Sequence, residues 1–306
     1  MNRDLLGHLP VIVSVAEHRG FAAAASALNM SPSAVSHAVR TVEDHLGEPL
    51  FARTTRSVSL SEAGARFIAI IRPALEDIGR AVEGLAADRG EVTGVLRINA
   101  PRVAMAMALP TVLARLARTH PRLTVEVHTN DALVDIVAQG FDAGIRLGDA
   151  VQQDMVTVRM TPAFPAILVA SPDYLATRGV PDRVADLAAH NCIGFRLLAS
   201  GSLYEWELAE EGRAVSFKAG GTVVITDASF ARDLALAHLG IAYIFEPLVR
   251  EDIRAQRLRW LLPQAAIDES GLFLYFPQRA SLAPKLRAFI EAARALASAA
   301  ARPGTP

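Results

Sequence analysis

Residues 21–46 read FAAAASALNMSPSAVSHAVRTVEDHL, and the fold of the first part of the chain turns on them. The run 21–28 is short and rich in Ala, a strong helix former. Asn29 tolerates the left-handed conformation that a tight connection needs. Ser31 then suits an N-cap and Pro32 a first helical position. Val35, Val39, Val42 and Leu46 follow at i, i+4, i+7 and i+11, so one face of this helix is predicted to be buried, and Gly47 stops it. Upstream, Leu5, Leu6, Leu9, Val13 and Ala16 make the stripe of another helix that ends at Gly20. Two helices, a tight turn and a third helix form a helix-turn-helix.

The opposite face of the third helix carries Ser33, Ser36, His37 and Arg40, and no acid occurs from Pro32 to Val42. A helix entering the DNA major groove needs this pattern, because its N-terminal side chains must donate to base edges and phosphates. Residues 49–61 read as a small hairpin, also without acids, holding Arg53, Thr54, Thr55, Arg56 and Ser57. That suits a wing gripping phosphates beside the groove. Residues 1–61 hold five Arg and five acids. The inference therefore rests on the segregation of charge, and a plain helical bundle with a solvated third helix remains the alternative.

Ser61-Glu62 opens a long helix whose stripe is Phe67, Ile70, Ile71, Ala74, Leu75, Ile78, Val82 and Leu85, with a bend expected at Pro73. Such a stripe needs a partner, and the simplest is its own copy in a dimer through Phe67, Ile71, Leu75, Ile78 and Val82. Residues 88–94 (DRGEVTG) form a polar hinge. Beyond it the texture alternates. Strands are expected over 95–100, 123–128, 143–147, 166–170, 193–195, 223–226, 241–245 and 272–276. Helices are expected over 109–119, 132–139, 172–176, 228–238 and 284–297. This alternation predicts a mostly parallel sheet covered by helices. Two such halves, with crossings near Pro162 and Glu269, describe a hinged two-lobed binder with its ligand in the crevice. The tail from Ser298 is low in complexity.

Composition narrows the function classes. The chain has 306 residues, 51% hydrophobic and 21% charged, enough for two or three folded units. The net charge of −1 excludes a polycation that coats nucleic acid by bulk charge. Only Lys218 and Lys285 are lysines; the other basic residues are Arg, which favours bidentate contacts. The single cysteine, Cys192, excludes an intramolecular disulfide and a Cys-based zinc cluster, fits a reducing compartment and reads as a buried thiol. Residues 9–16 (LPVIVSVA) have the apolarity of a short signal core, but His8 and Pro10 interrupt them and the helical pattern continues. No run reaches the length of a membrane span. There is no HExxH, GxSxG, Walker-type or GxGxxG pattern, so no catalytic residue, metal site or cofactor is expected. Glu205, Glu207, Glu210 and Glu211 read as a solvated hairpin face, and Trp206 and Trp260 as packing residues.

The run from Phe21 to Arg40, with Val42-Glu43, Leu46-Gly47, Leu50-Phe51, Arg53-Thr54 and residues 60–64 (LSEAG), resembles the signature of LysR-type transcriptional regulators. Residues 96–101 (LRINAP), 142–148 (DAGIRLG) and 274–277 (LYFP) resemble that family's effector-binding domain, in the same order. The resemblance implies an N-terminal all-α winged helix-turn-helix plus a long linker helix, then a C-terminal α/β two-lobed periplasmic-binding-protein-like domain. The expected boundaries are 1–61 for DNA binding, 62–90 for dimerisation and 91–306 for effector binding. Lobe I covers about 91–162 and 269–306, and lobe II about 163–268. Ser33, Ser36 and Arg40 match DNA-facing positions, Arg53, Thr54 and Arg56 match the wing, and His37 stands at a position that varies in the family. The implied partners are double-stranded DNA with an interrupted palindrome, a small-molecule effector, a second copy or tetramer of the chain, and RNA polymerase, in a cytoplasmic, nucleoid-associated protein.

For the crevice, the residues just after strand ends are Arg102, Thr129, Asn130, Arg146, Thr161, Phe195, Arg196, Thr226, Asp227 and Phe245. Arg102, Arg146 and Arg196 together would hold a carboxylate, so a small organic anion, aromatic in view of Phe195 and Phe245, is the expected effector. The alternative is that these arginines make inter-lobe ion pairs or face solvent. The family often places a hydroxyl residue in the first loop. Here the loop reads Pro-Arg-Val-Ala and offers none. Two other readings stay open: a small-molecule-binding protein or enzyme with an incidental helical head, and an effector-independent architectural regulator.

Overall fold

Burial of the apolar stripes predicted above organises the first of two compact units, Met1–Leu85 and Ala86–Pro306. The computed structural model describes residues 3–53, 58–87, 91–132, 134–148, 155–198 and 200–300. In the first unit α1 (Arg3–His18), α2 (Phe21–Ala27) and α3 (Pro32–Leu46) pack together, followed by strands β1 (Phe51–Arg53) and β2 (Val58–Leu60) and helix α4 (Glu62–Ala87). Val35, Ala38, Val39 and Val42 of α3 are fully buried against Ile12 and Val15 of α1 and Ala24 and Ala25 of α2. The apolar residues within 9–16 thus belong to this core: Leu9, Val11, Ile12 and Val15 are all buried.

Local chemistry sets the ends of α3. The Ser31 hydroxyl accepts the Ala34 N–H at 3.1 Å, Pro32 follows, and Gly47 closes the helix at φ 71°. Asn29 takes the left-handed conformation, φ 52°. The Glu43 carboxylate turns back and accepts the N–H groups of Leu50 (2.8 Å) and Phe51 (3.2 Å), which ties α3 to the start of the hairpin. The Ser61 hydroxyl donates to the Pro49 carbonyl (2.6 Å) and accepts the Gly64 N–H (2.9 Å), so α4 starts against the same loop. Gly64 is required there, because a Cβ would stand 2.0 Å from the Leu50 carbonyl oxygen. Arg72 of α4 lies 3.5 Å from Glu17 of α1.

The second unit holds a mixed sheet and an antiparallel one. The first takes β3 (Gly94–Ala100), β4 (Leu123–Thr129), β5 (Ala143–Leu147), β6 (Met155–Arg159) and, from far downstream, β15 (Leu272–Pro277), in the order β4-β3-β5-β15-β6. Helices α5 (Arg102–Met107), α6 (Leu109–Thr119) and α10 (Pro284–Ala300) belong to the same half, and Leu109 and Val112 of α6 and Phe289 of α10 share its core. The second sheet is centred on β7 (Phe164–Ala170), which pairs with β12 (Ala242–Phe245), β13 (Arg259–Leu261) and β14 (Ile267–Glu269). Around it lie α7 (Pro172–Arg178), the parallel pair β8 (Gly194–Phe195) and β11 (Val224–Ile225), the hairpin β9 (Trp206–Glu210) and β10 (Arg213–Phe217), and helices α8 (Phe230–Leu236) and α9 (Glu246–Arg254).

Two sequence expectations need correction. The sheets are not mostly parallel: β3 runs parallel to β4 and β5, but β15 is antiparallel to β5 and β6, and every partner of β7 is antiparallel to it. The cause is the double crossing. β15 enters the first sheet at the junction where β5 leaves it, with Leu272 opposite Leu147, and β14 returns to the junction where β7 starts, with Glu269 opposite Phe164. The expected helix over 132–139 does not form in its described part, 132 and 134–139, where 136–139 make turns. There the Asp135 carboxylate takes the N–H groups of Val137 and Ala138 at 3.0 Å each, competing with a helical ladder. The predicted hinge residues 88–90 and the tail 301–306 lie outside the described residues.

The two crossings touch. The Thr161 hydroxyl accepts the Leu272 N–H at 2.9 Å, and a Cβ on Gly271 (φ 96°) would meet the Pro162 carbonyl oxygen at 2.6 Å. In the second half, Cys192 is buried (1% exposed), its Sγ 3.5 Å from the Leu187 carbonyl, and burial pushes its thiol up to about 12.

Two outcomes test this packing. Gly64→Ala drives a methyl into a backbone carbonyl that cannot move aside, so denaturant unfolding should show a loss of about 2–3 kcal/mol in the first unit. A fully retained unfolding midpoint would contradict the close approach. At pH 8 roughly one Cys192 in ten thousand is thiolate, so native protein should resist a colorimetric thiol reagent that labels the unfolded chain at once.

Candidate functional site

On α3 the first turn carries no acid, and the positive end of the helix dipole is uncompensated. Ser33, His37 and Arg40 are exposed and Ser36 is half-buried, all on the side away from the valine core. The Ser33 hydroxyl lies 2.9 Å from that of Ser31. The first acid of α3, Glu43, is directed to the Leu50 and Phe51 amides. Hydrogen-bonding side chains and the helix N-terminus therefore share one solvent-facing surface, able to bind phosphate oxygens and base edges. The register Arg53↔Val58 confirms a hairpin behind the wing. Thr54 and Arg56 lie outside the described residues, as does the side chain of Arg53.

On α4, Ile68 is buried in the first core and Phe67 packs against it. Ile71 and Leu75 are half-buried, Ala74 is exposed, and Ile70 and Ile78 are 72% and 62% exposed. The free apolar row among the described side chains is thus Ile70, Ala74 and Ile78, at four-residue steps. All three belong to the expected stripe, although the residues expected at the dimer contact included Ile78 and not Ile70 or Ala74; the Val82 side chain is outside the described residues.

The ten crevice residues do not form one cluster. Arg102 pairs with Asp131, whereas Arg146 bonds elsewhere. Arg102 donates its backbone N–H to Asp131 (2.9 Å), and its guanidinium lies 3.5 Å from Asp131 and 3.7 Å from Asp227. Arg146 is buried; it donates to Asn99 Oδ1 (2.8 Å) and to the carbonyls of Ala132 (2.6 Å) and Ile145 (2.8 Å). Burial lowers its pKa, while Tyr275 and Asp131 pull the other way. Thr129, Asn130 and Thr161 are strand-end residues. Asn130 caps its own turn through Ala132 N–H (3.0 Å), and Thr161 is committed to the crossing. Thr226 and Asp227 line an open groove of about 860 Å3 with Ala106, Arg232, Asp233 and Glu251.

Only Phe195 and Phe245 meet, at a partly open apolar cavity of about 210 Å3. Its other walls include Tyr204, Trp206, Tyr243 and Glu269. None of Arg102, Arg146 and Arg196 lines it, and Arg196 donates to the Gly201 carbonyl at 2.7 Å. The expected three-arginine grip on a carboxylate is therefore not assembled: each guanidinium already has a carboxylate or carbonyl partner. The groove does not replace it, since Asp227, Asp233, Glu251 and Asp252 outnumber Arg232 on its walls. Sequence reasoning missed Tyr204, Trp206, Tyr243 and Glu269. Tyr243 was within reach, two residues before Phe245 on the same face of β12. Tyr204 reaches the cavity because its N–H pairs with the Phe195 carbonyl (2.7 Å), which no local pattern announces.

Comparison with known proteins agrees with this division. Residues 6–65 match the family description "Bacterial regulatory helix-turn-helix protein, lysR family", and residues 89–298 match "LysR substrate binding domain". The chain is 37% identical to the HTH-type transcriptional regulator YcaN of Escherichia coli (strain K12), over 91% of each protein. It is 33% identical to the HTH-type transcriptional regulator PgrR of the same strain, over 95% of this chain and 97% of that one. Among solved structures, CrgA, a LysR-type transcriptional regulator from Neisseria meningitidis, aligns with TM-score 0.61 and 26% identity, covering 95% of this chain and 98% of CrgA. With both domains matched in order, this chain belongs to the LysR family of transcriptional regulators, a helix-turn-helix DNA-binding domain followed by an effector-binding domain.

Proposed function

We propose that α3 enters the major groove of an operator and presents Ser33, Ser36, His37 and Arg40 to base edges and phosphates, with Arg53, Thr54 and Arg56 of the wing on the flanking backbone. The observation that carries this reading is the outer face of α3 from Pro32 to Val42, which holds no acid, with the first carboxylate along the helix, Glu43, folded inward. Two copies pair through α4, using the exposed row Ile70, Ala74 and Ile78 together with Leu75 and Val82. A symmetric pair requires two half-sites, so the operator is an interrupted palindrome, and pairs of dimers form the tetramer. The effector occupies the aromatic cavity, and the Arg102 bridge between Asp131 and Asp227 braces one arrangement of the two halves. A ligand that favours one arrangement shifts DNA affinity by that preference. Residues 1–61, 62–90 and 91–306 divide the work of reading, pairing and sensing. The protein acts in the cytoplasm, at the nucleoid, with RNA polymerase as a further partner, and its cavity receives a ligand without catalysis.

A salt series with labelled upstream DNA tests the reading. Arg40→Ala should lower operator affinity by about tenfold and reduce the salt slope by about one unit. Ser36→Ala should cost about 1 kcal/mol at one base position and leave the slope unchanged. Equal binding of operator and random DNA would defeat the proposed readout. Ile70→Asp with Ile78→Asp should convert dimers to monomers in sedimentation and weaken operator binding by about two orders of magnitude, the avidity of a paired site. Tight operator binding by such a monomer would refute the pairing role of α4.

A further inference from the structure

The chemistry of the aromatic cavity selects a ligand charge. A buried apolar cavity of roughly 150 Å3 holds benzene; this one, at about 210 Å3, admits a ring with a short arm. Five aromatic side chains face it, Phe195, Tyr204, Trp206, Tyr243 and Phe245. Among the described residues the one charged side chain on its wall is Glu269, and no Arg, Lys or His is part of it. Trp206 and Tyr243 are stacked with centroids 5.7 Å apart at 19°, Tyr204 continues the stack at 6.3 Å, and Phe195 meets Tyr204 edge-on at 6.5 Å. Ring faces carry negative electrostatic potential and attract cations.

The electrostatics point the same way. Among the described residues no cation pairs with Glu269, whose carboxyl is raised by burial and further by Glu207. Tyr204 is pushed up to about 12 by burial, with Glu207 and Glu269 acting in the same direction, so it stays a neutral phenol. The Tyr243 hydroxyl is spent on the Glu207 carbonyl at 2.8 Å and offers no proton to a ligand. An anion here would face a carboxylate with no compensating charge, and a neutral molecule would leave Glu269 half-buried without a counter-ion.

We propose that this cavity takes a small organic cation, its ammonium group against the Glu269 carboxylate and its apolar body among the five rings. The proposal rests on the reading of this domain as the effector-binding one and names the class of ligand that the site accepts.

The test uses the full chain and three probes of equal size: 2-phenylethylammonium, phenylacetate and 2-phenylethanol, read by Trp fluorescence and by the shift of the thermal midpoint. The ammonium should bind about tenfold more tightly than either other probe. Glu269→Gln should remove about tenfold of its affinity while leaving that of 2-phenylethanol within about twofold. Equal or tighter binding of phenylacetate or the alcohol overturns the proposal, as does no binding of any probe or an unchanged Glu269→Gln. The charge comparison on the unmodified chain decides the matter even where the variant does not fold. Operator binding measured on the same samples separates the two readings. A response to phenylacetate alone upholds sensing and overturns the cation site. Ammonium binding that leaves operator affinity unchanged upholds the cation site and counts against sensing.

Discussion

The Thr161 hydroxyl and the Leu272 amide, 2.9 Å apart, join the two segments by which the chain passes between its sheets in the second unit. Much of the rest depends on this contact. It fixes where the chain leaves the first sheet after β6 and where β15 returns to it, and so makes β15 antiparallel to β5 and β14 antiparallel to β7. Gly271 allows the segments to touch, since any side chain there would strike the Pro162 carbonyl. Glu269, two residues earlier, is thereby brought to the mouth of a cavity whose rings all come from the other sheet's surroundings. A carboxylate at a crossing is well placed for sensing, because a ligand that binds it acts on the segment about which the two halves are joined.

The first unit shows a comparable economy around one loop. Residues 47–50 receive the Glu43 carboxylate from α3, the Ser61 hydroxyl from the start of α4, and the bare backbone of Gly64. Helix α3, the hairpin and helix α4 are locked to a single peptide segment, so a displacement of α4 is felt at α3. Buried valines give α3 its stability. Its outer face is left to serines, a histidine and an arginine that contribute little to folding. The buried valines and the exposed hydrogen-bonding side chains thus occupy opposite sides of the same fifteen residues.

The arginines illustrate why composition misleads about ligands. Arg102, Arg146 and Arg196 stand near strand ends, as expected, but position along the chain does not reveal which partners a guanidinium already has. Asn99 and the carbonyls of Ala132 and Ile145 take Arg146, Asp131 and Asp227 take Arg102, and Gly201 takes Arg196. All of these partners except the Arg146 neighbour Ile145 lie several residues to more than a hundred residues away in sequence. The alternative weighed for these arginines, ion pairing between the halves, describes Arg102.

By itself the sequence determined what depends on neighbours along the chain. The Ser31 cap, the Pro32 start and the Gly47 stop of α3, the acid-free face of that helix, the hairpin at 51–60 and the alternating strands and helices all follow from caps, periodicity and turn residues that act within a few positions. Those same local patterns carry the family resemblance. Tertiary structure alone decided the direction of β15 and the composition of the cavity. These follow from contacts between distant segments: Leu272 against Leu147, Glu269 against Phe164 and Tyr204 beside Phe195. Hydrophobic periodicity tells a residue whether to be buried, but burial has no direction, and only the packed chain determines which carboxylate faces which rings.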